Sequence, residues 1–159
     1  AIKVYPTLNS WFNNEELLEK KNINLGFAAA LPDGNLIVPN IKNAQNLSVT
    51  DIAQQVSEIG TRAKNGKLKP DDIQDTTFTV SNTGMFGSES GTPIISRPQV
   101  AVLALGNILR KAWIVDENGE EKIVPQSVLT LSLSYDHRIV DGALASKFLT
   151  EIKKKMENF

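Results

Sequence analysis

The chain has 159 residues, one histidine and no cysteine, with 17 lysines and arginines against 18 aspartates and glutamates for a net charge of −1. This length suits one domain with a real core, and the balanced charge, with no basic stripe, argues against a nucleic-acid partner. Without cysteine there is no disulfide framework or thiolate metal site, one histidine argues against zinc, the longest apolar run (Val100 to Leu105) is too short to cross a bilayer, and no signal peptide is visible.

Along the chain, Ile23 to Leu31 and Leu36 to Ile41 read as strands joined by Pro32-Asp33-Gly34-Asn35, residues that favour a turn. Ser48 opens a helix, with Asp51 as a capping-box variant. Val49, Ile52, Ala53, Val56, Ile59 and Ala63 form its apolar stripe, and Asn65-Gly66 should end it. Pro70-Asp71-Asp72 opens a short helical turn or loop. Strands are predicted near 76–81, 100–106, 110–115 and 122–134, with a hairpin turn at Asp116-Glu117-Asn118-Gly119. In the first of these, Phe78 and Val80 share one face, and Thr77, Thr79 and Ser81 the other. Ser81 therefore stands at the polar end of a strand, where its hydroxyl either faces a ligand or bonds its own turn. Gly84 to Pro98 is the one long irregular stretch, and it lacks the Gly-Lys-Ser/Thr of a phosphate loop.

Near the C-terminus, Leu129, Leu131, Leu133 and Tyr135 alternate with Thr130, Ser132 and Ser134, the period of a strand with one buried face. Leu144, Phe148, Ile152 and Met156 then recur every four residues over a helix of roughly 142–157, whose Lys153-Lys154-Lys155 complements the helix dipole. Between them lies Asp136-His137-Arg138-Ile139-Val140-Asp141-Gly142, which holds the sole imidazole. A group with an ordinary pKa near 6.5 can accept and return a proton, so His137 is either a general base or a residue satisfying a local hydrogen bond. Asp141 suits an N-cap, and Asp136 and Arg138 a solvated pair. The elements interleave, so the fold class is mixed α/β, with helices on one face of a mixed sheet and one domain over residues 1–159.

The string Asp136-His137-Arg138-x-x-Asp141-Gly142 resembles the signature of the dihydrolipoamide acyltransferases, the core components of 2-oxo acid dehydrogenase complexes. Thr77 to Gly87 is similar to that family's second motif, and Thr92-Pro93-Ile94-Ile95-x-x-Pro98-Gln99-Val100-Ala101-Val102-Leu103 to the segment after it. Tyr5-Pro6-x-Leu8-Asn9, Asn24-Leu25-Gly26-x-Ala28 and Pro32 to Ala44 extend the likeness over essentially the whole chain, in the family's order.

The resemblance implies a chloramphenicol-acetyltransferase-like fold and transfer of an acyl group between dihydrolipoamide and coenzyme A. It implies His137 as the general base, Ser81 as the hydroxyl that steadies the oxyanion, and Asp141 as the residue that orients the site. It leaves the coenzyme A contacts unassigned and implies no metal. It implies a homotrimer with His from one chain and Ser from the next, built into a larger core with the other complex subunits. The lipoyl group would come from a separate lipoyl domain, and the compartment would be the cytoplasm, or the mitochondrial matrix in a eukaryote. Gly84 to Pro98 would wall an acyl or thiol channel, the alternative being a solvent loop. The family's domain begins before Ala1 with an arm, a strand and a helix, so the expectation is an N-terminally truncated fragment that opens within that helix and lacks the arginine expected to pair with Asp141. The acyl group is open among acetyl, succinyl and branched-chain, with a mild preference for branched-chain. Two other readings compete: an acetyltransferase of the same fold acting on a drug or amine, and a truncated scaffold that assembles without turnover.

Overall fold

The computed structural model describes residues 1–158. The expected opening helix is not there. The amides of Val4 and Tyr5 both bond to the Ala1 carbonyl, and Pro6, which lacks an amide donor, then starts a 3₁₀ turn over Pro6–Asn9. A hairpin absent from the sequence reading follows: β1 (Ser10–Asn13) and β2 (Glu16–Glu19), joined by Asn14 and Glu15 with φ of 48° and 66°. Its apolar residues come in adjacent pairs, Trp11-Phe12 and Leu17-Leu18, so no alternation announces it.

The two strands expected over 23–41 are each broken. β3 (Leu25–Phe27) and β6 (Asn40–Ile41) pair in the main sheet, whereas β4 (Ala29–Ala30) and β5 (Leu36–Ile37) form a separate ladder closed by the predicted Pro32–Asn35 turn. Pro39, without an N–H, interrupts the second run. Helix α1 (Val49–Lys64) begins as expected: Ser48 Oγ accepts from the Asp51 amide and the Asp51 carboxylate accepts from the Ser48 amide. It ends at Asn65, followed by Gly66 at φ 64°. Only part of the anticipated stripe is covered. Ile59 and Ala63 are buried, but Val49 and Val56 are exposed, because the helix rests on Ile41, Ala44 and their neighbours along a narrower line.

The remaining elements are β7 (Phe78–Asn82), β8 (Ala101–Glu117), β9 (Glu120–Tyr135) and α2 (Gly142–Glu157). The two strands expected at 100–106 and 110–115 are one, kept continuous by a register shift between Leu105 and Ile108. Asn118 and Gly119, at φ 61° and 86°, make the two-residue hairpin turn. The main sheet runs β6-β3-β7-β8-β9; β3, β7 and β8 are parallel, and the two edge strands are antiparallel to them. Among the described residues no helix is long and apolar enough to cross a membrane.

Both helices lie on one sheet face, as expected. Leu25, Phe78, Ala101, Leu103, Leu133 and Tyr135 belong to one cluster with Ala145 and Phe148 of α2, and Leu25 also touches the α1 cluster. Phe78 and Phe148, with ring centroids 5.6 Å apart, are almost fully buried; each contributes about 1.5–3 kcal/mol by burial. The Asp141 carboxylate caps α2, accepting from the Leu144 amide at 2.7 Å.

The other face, which carries Thr79 and Ser81, meets the connection between β7 and β8. The Ser88 carbonyl accepts a hydrogen bond from the Asn107 amide at 2.8 Å, and the Glu89 carbonyl oxygen lies 1.9 Å from where a Cβ on Gly106 would be. Gly106→Ala is expected to push this loop off β8 and to cost about 1–3 kcal/mol, read by chemical denaturation. Asp141→Ala is expected to lower stability by about 1 kcal/mol through loss of the cap; an unchanged melting temperature would refute the capping role.

Candidate active site

The turn from β9 into α2 is held from both ends. The Asp136 amide donates to the Val100 carbonyl at 2.8 Å, extending the β8–β9 pairing by one step. The Asp136 carbonyl accepts from the amides of Ile139 and Val140, at 3.0 and 2.9 Å. Val140 is fully buried in the main core, and Asp141 starts the helix. His137 is therefore the exposed crest of a short, anchored turn. Its ring stands 5.5 Å from that of Tyr135 at an interplanar angle of 46°. Its expected alternative, a local hydrogen bond, is not formed within the described residues.

Asp136 and Arg138 do more than share a solvated surface. Arg138 Nε and Nη2 donate to the two carboxylate oxygens at 2.9 and 2.6 Å, and the Arg138 amide donates to Oδ1 at 3.1 Å. The guanidinium lies over the ring of Phe12, 4.5 Å from its centroid. The hydrogen bonds from the Arg138 side chain hold the Asp136 carboxyl below its ordinary range, against the opposing effect of burial. This contribution to stability is present above the ordinary carboxylate range, near pH 4, and disappears as the pH falls through the lowered value. Phe12 escaped the sequence reading because it lies far from the motif in the chain and on the unpredicted hairpin.

Ser81 is half-buried on β7. The hydroxyls on either side are engaged: Thr79 donates to Gln99 Oε1 at 2.8 Å and Thr83 to the Leu105 carbonyl at 3.1 Å. The following turn is tied by Asn82, whose Oδ1 accepts from the Met85 amide at 3.2 Å. Among the described residues the Ser81 hydroxyl has no partner, so the reading in which it only bonds its own turn does not hold.

One chain does not bring Ser81 and His137 together. Ser81 pairs with Ala104, and Ala104 with Ser132. From that row β9 runs three residues further to Tyr135, toward the end of the sheet at which β7 and β8 begin. Two strand spacings across and three residues along put Ser81 about 14 Å from the end of β9, and His137 lies beyond it. Ser81, following Thr79, also lies on the face opposite to Tyr135, beside whose ring His137 stands. Asp141, also exposed, stays with His137 on the turn. A cleft of about 570 Å³ lies elsewhere, between the distal part of β9 and α2, lined by Trp113, Leu129, Leu149 and Met156 among others. It contains neither residue. Among the described residues, no cluster of three or more His, Asp or Glu side chains is arranged to hold a metal.

The chain matches the family described as 2-oxoacid dehydrogenases acyltransferase (catalytic domain) over residues 1–159. It is 44% identical to the dihydrolipoyllysine-residue acetyltransferase component of the Acholeplasma laidlawii pyruvate dehydrogenase complex, over 99% of this chain and 28% of that protein. It is 38% identical to the lipoamide acyltransferase component of the Bacillus subtilis branched-chain alpha-keto acid dehydrogenase complex, over 99% of this chain and 36% of that protein. The chain thus spans about a third or less of the curated relatives it matches. Among solved structures it resembles Azotobacter vinelandii dihydrolipoamide acetyltransferase with a TM-score of 0.86 and 35% identity, over 95% of this chain and 61% of that one. Crystallographic and enzymatic work on that enzyme addresses the role of a serine, a histidine and an asparagine in its catalytic mechanism. With a match over its whole length and a shared fold, the chain belongs to the 2-oxoacid dehydrogenase acyltransferase family, within its catalytic domain.

Proposed function

We propose that this chain transfers acyl groups between dihydrolipoamide and coenzyme A, at a site shared by two copies: His137 of one and Ser81 of the next. The reading rests most directly on the separation of the two side chains. An imidazole and a hydroxyl acting on one thioester must both come within about 3 Å of the reacting atoms. Ser81 lies two strands across from β9 and three residues back from its end, on the face away from Tyr135, so it is well separated from His137, yet among the described residues neither side chain has a hydrogen-bond partner. Two copies joined in a cyclic, head-to-tail arrangement bring such halves together repeatedly, and a trimer is the arrangement the family likeness favours.

The chemistry follows from sulfur. A thiol with a pKa near 8.5 is only a few per cent thiolate at neutral pH. His137 removes the thiol proton as the sulfur attacks the thioester carbonyl, the new carbon–sulfur bond forms, and the carbonyl oxygen becomes an oxyanion. Ser81 donates its hydroxyl to that oxygen. When the intermediate collapses, the old carbon–sulfur bond breaks and the imidazolium returns the proton to the departing sulfur. No covalent acyl-enzyme is required. Asp141 holds the end of the turn by capping α2, and so fixes where His137 stands. In the Azotobacter enzyme the histidine and asparagine under study are four residues apart, the spacing of His137 and Asp141.

The second substrate is a lipoyl group presented by a lipoyl domain, and the assembled trimers form the core on which the other complex subunits gather, in the cytoplasm. The acyl group is acetyl, succinyl or branched-chain, and the relatives belong to pyruvate and branched-chain alpha-keto acid dehydrogenase complexes.

Ser81→Ala is expected to lower kcat by about 10²- to 10³-fold with little change in KM, because an oxyanion donor acts in the transition state. Chains carrying His137→Ala and chains carrying Ser81→Ala should each keep about one per cent of the wild-type rate or less. Mixed in equal amounts and co-assembled, they should recover roughly one quarter of the wild-type rate, the share of head-to-tail interfaces at which both functional residues meet. Zero recovery on verified mixed assembly would reject the shared site. A kinetic comparison of acetyl-, isobutyryl- and succinyl-coenzyme A reads the acyl class.

A further inference from the structure

Building on the proposed role of His137, we infer that Arg138 is a positioning residue, clipped by Asp136 and seated on Phe12, which holds the His137 turn in the form that presents the imidazole. Three observations carry this.

The first is that two hydrogen-bonded rings close over His137. The Asp136 carboxylate reaches the Arg138 amide at 3.1 Å, and the Asp136 carbonyl reaches the Ile139 amide at 3.0 Å. Both span the histidine and restrict its backbone. The second is the geometry of the side-chain pair. Nε and Nη2 take separate carboxylate oxygens, a fork that a lysine cannot reproduce. Arg138 is 66% exposed and Asp136 21%, and a pair whose cation is this open to water adds only modestly to stability. Ordering a long side chain this way is poorly explained by folding and well explained by the placing of the residue between the partners. The third is the seat. Phe12 belongs to a strand pinned at two points: the Trp11–Gln99 bridge, in which the Phe12 amide donates to the Pro98 carbonyl at 2.7 Å, and the Trp11 indole, which donates to the Thr76 carbonyl at 2.9 Å. The guanidinium therefore rests on a ring whose strand is anchored from outside the turn.

Because the chain has one histidine, labelling with ¹³Cε1-histidine gives a single imidazole signal. Its position and its cross-relaxation to the Tyr135 ring report ring placement without any assay of turnover. Arg138→Lys, Asp136→Asn and Phe12→Leu are expected to move this signal and weaken the Tyr135 contact while leaving the melting temperature nearly unchanged. In the same variants kcat should fall by about 10- to 100-fold with KM for acyl-coenzyme A held within about two-fold. Phe12→Leu lies outside the turn and serves as the second variant should a change within it impair folding. An imidazole signal identical to wild type in both Arg138→Lys and Phe12→Leu overturns the inference. If His137→Ala leaves the rate unchanged, the general-base reading falls, and the imidazole signal still decides the clamp.

Discussion

The register of β8 against β9 is the constraint on which the rest depends. Ala101 faces Tyr135, Leu103 faces Leu133 and Leu105 faces Leu131, and these side chains join the core beneath α2. A slip of one residue would turn the leucines to the opposite face and bring the serines into the core. The same register fixes where β9 stops, and thereby where the single imidazole emerges. Packing and chemistry are thus set by one ladder: the apolar alternation that stabilises the sheet also delivers His137 to its edge.

Much of this was legible in the sequence, for identifiable reasons. The capping box at Ser48, the Asn118-Gly119 turn, the cap at Asp141 and the alternation into Tyr135 are local signals, and each appears where it was read. What failed was what local pattern does not contain. The hairpin Ser10–Glu19 has no period of two and escaped notice. Val49 and Val56 looked like core, yet nothing covers that flank of α1. Two separate strands were expected where one bulged strand runs from Ala101 to Glu117. At the candidate site, the positions of Ser81, His137 and Asp141 at element ends were readable. The distance between Ser81 and His137 was not, since it follows from strand order, which no single segment encodes.

The two free side chains have different surroundings, and this suits different tasks. Ser81 sits between neighbours whose hydroxyls are already committed, so its own oxygen is left available on a rigid strand. His137 is exposed but stands on a turn whose backbone is tied at several points. Rigid support with an unoccupied functional atom is the combination that lowers the cost of reorganisation when charge develops. A flexible loop carrying the same residues would lose that benefit.

The close approach of Gly84 to Gly106 has a mechanical consequence. A Cβ on Gly84 would lie 2.4 Å from the Gly106 carbonyl group, so bare backbone touches bare backbone with no side chain between them to act as a cushion. Gly106 lies at the irregularity from which the long β8–β9 ribbon projects, and Gly84 follows Ser81 by three residues. Tightly packed matter transmits displacement rather than absorbing it. A tilt of the ribbon at its root is therefore felt directly by the segment beside Ser81, and the far arm of the molecule and the end of β7 move as a single lever.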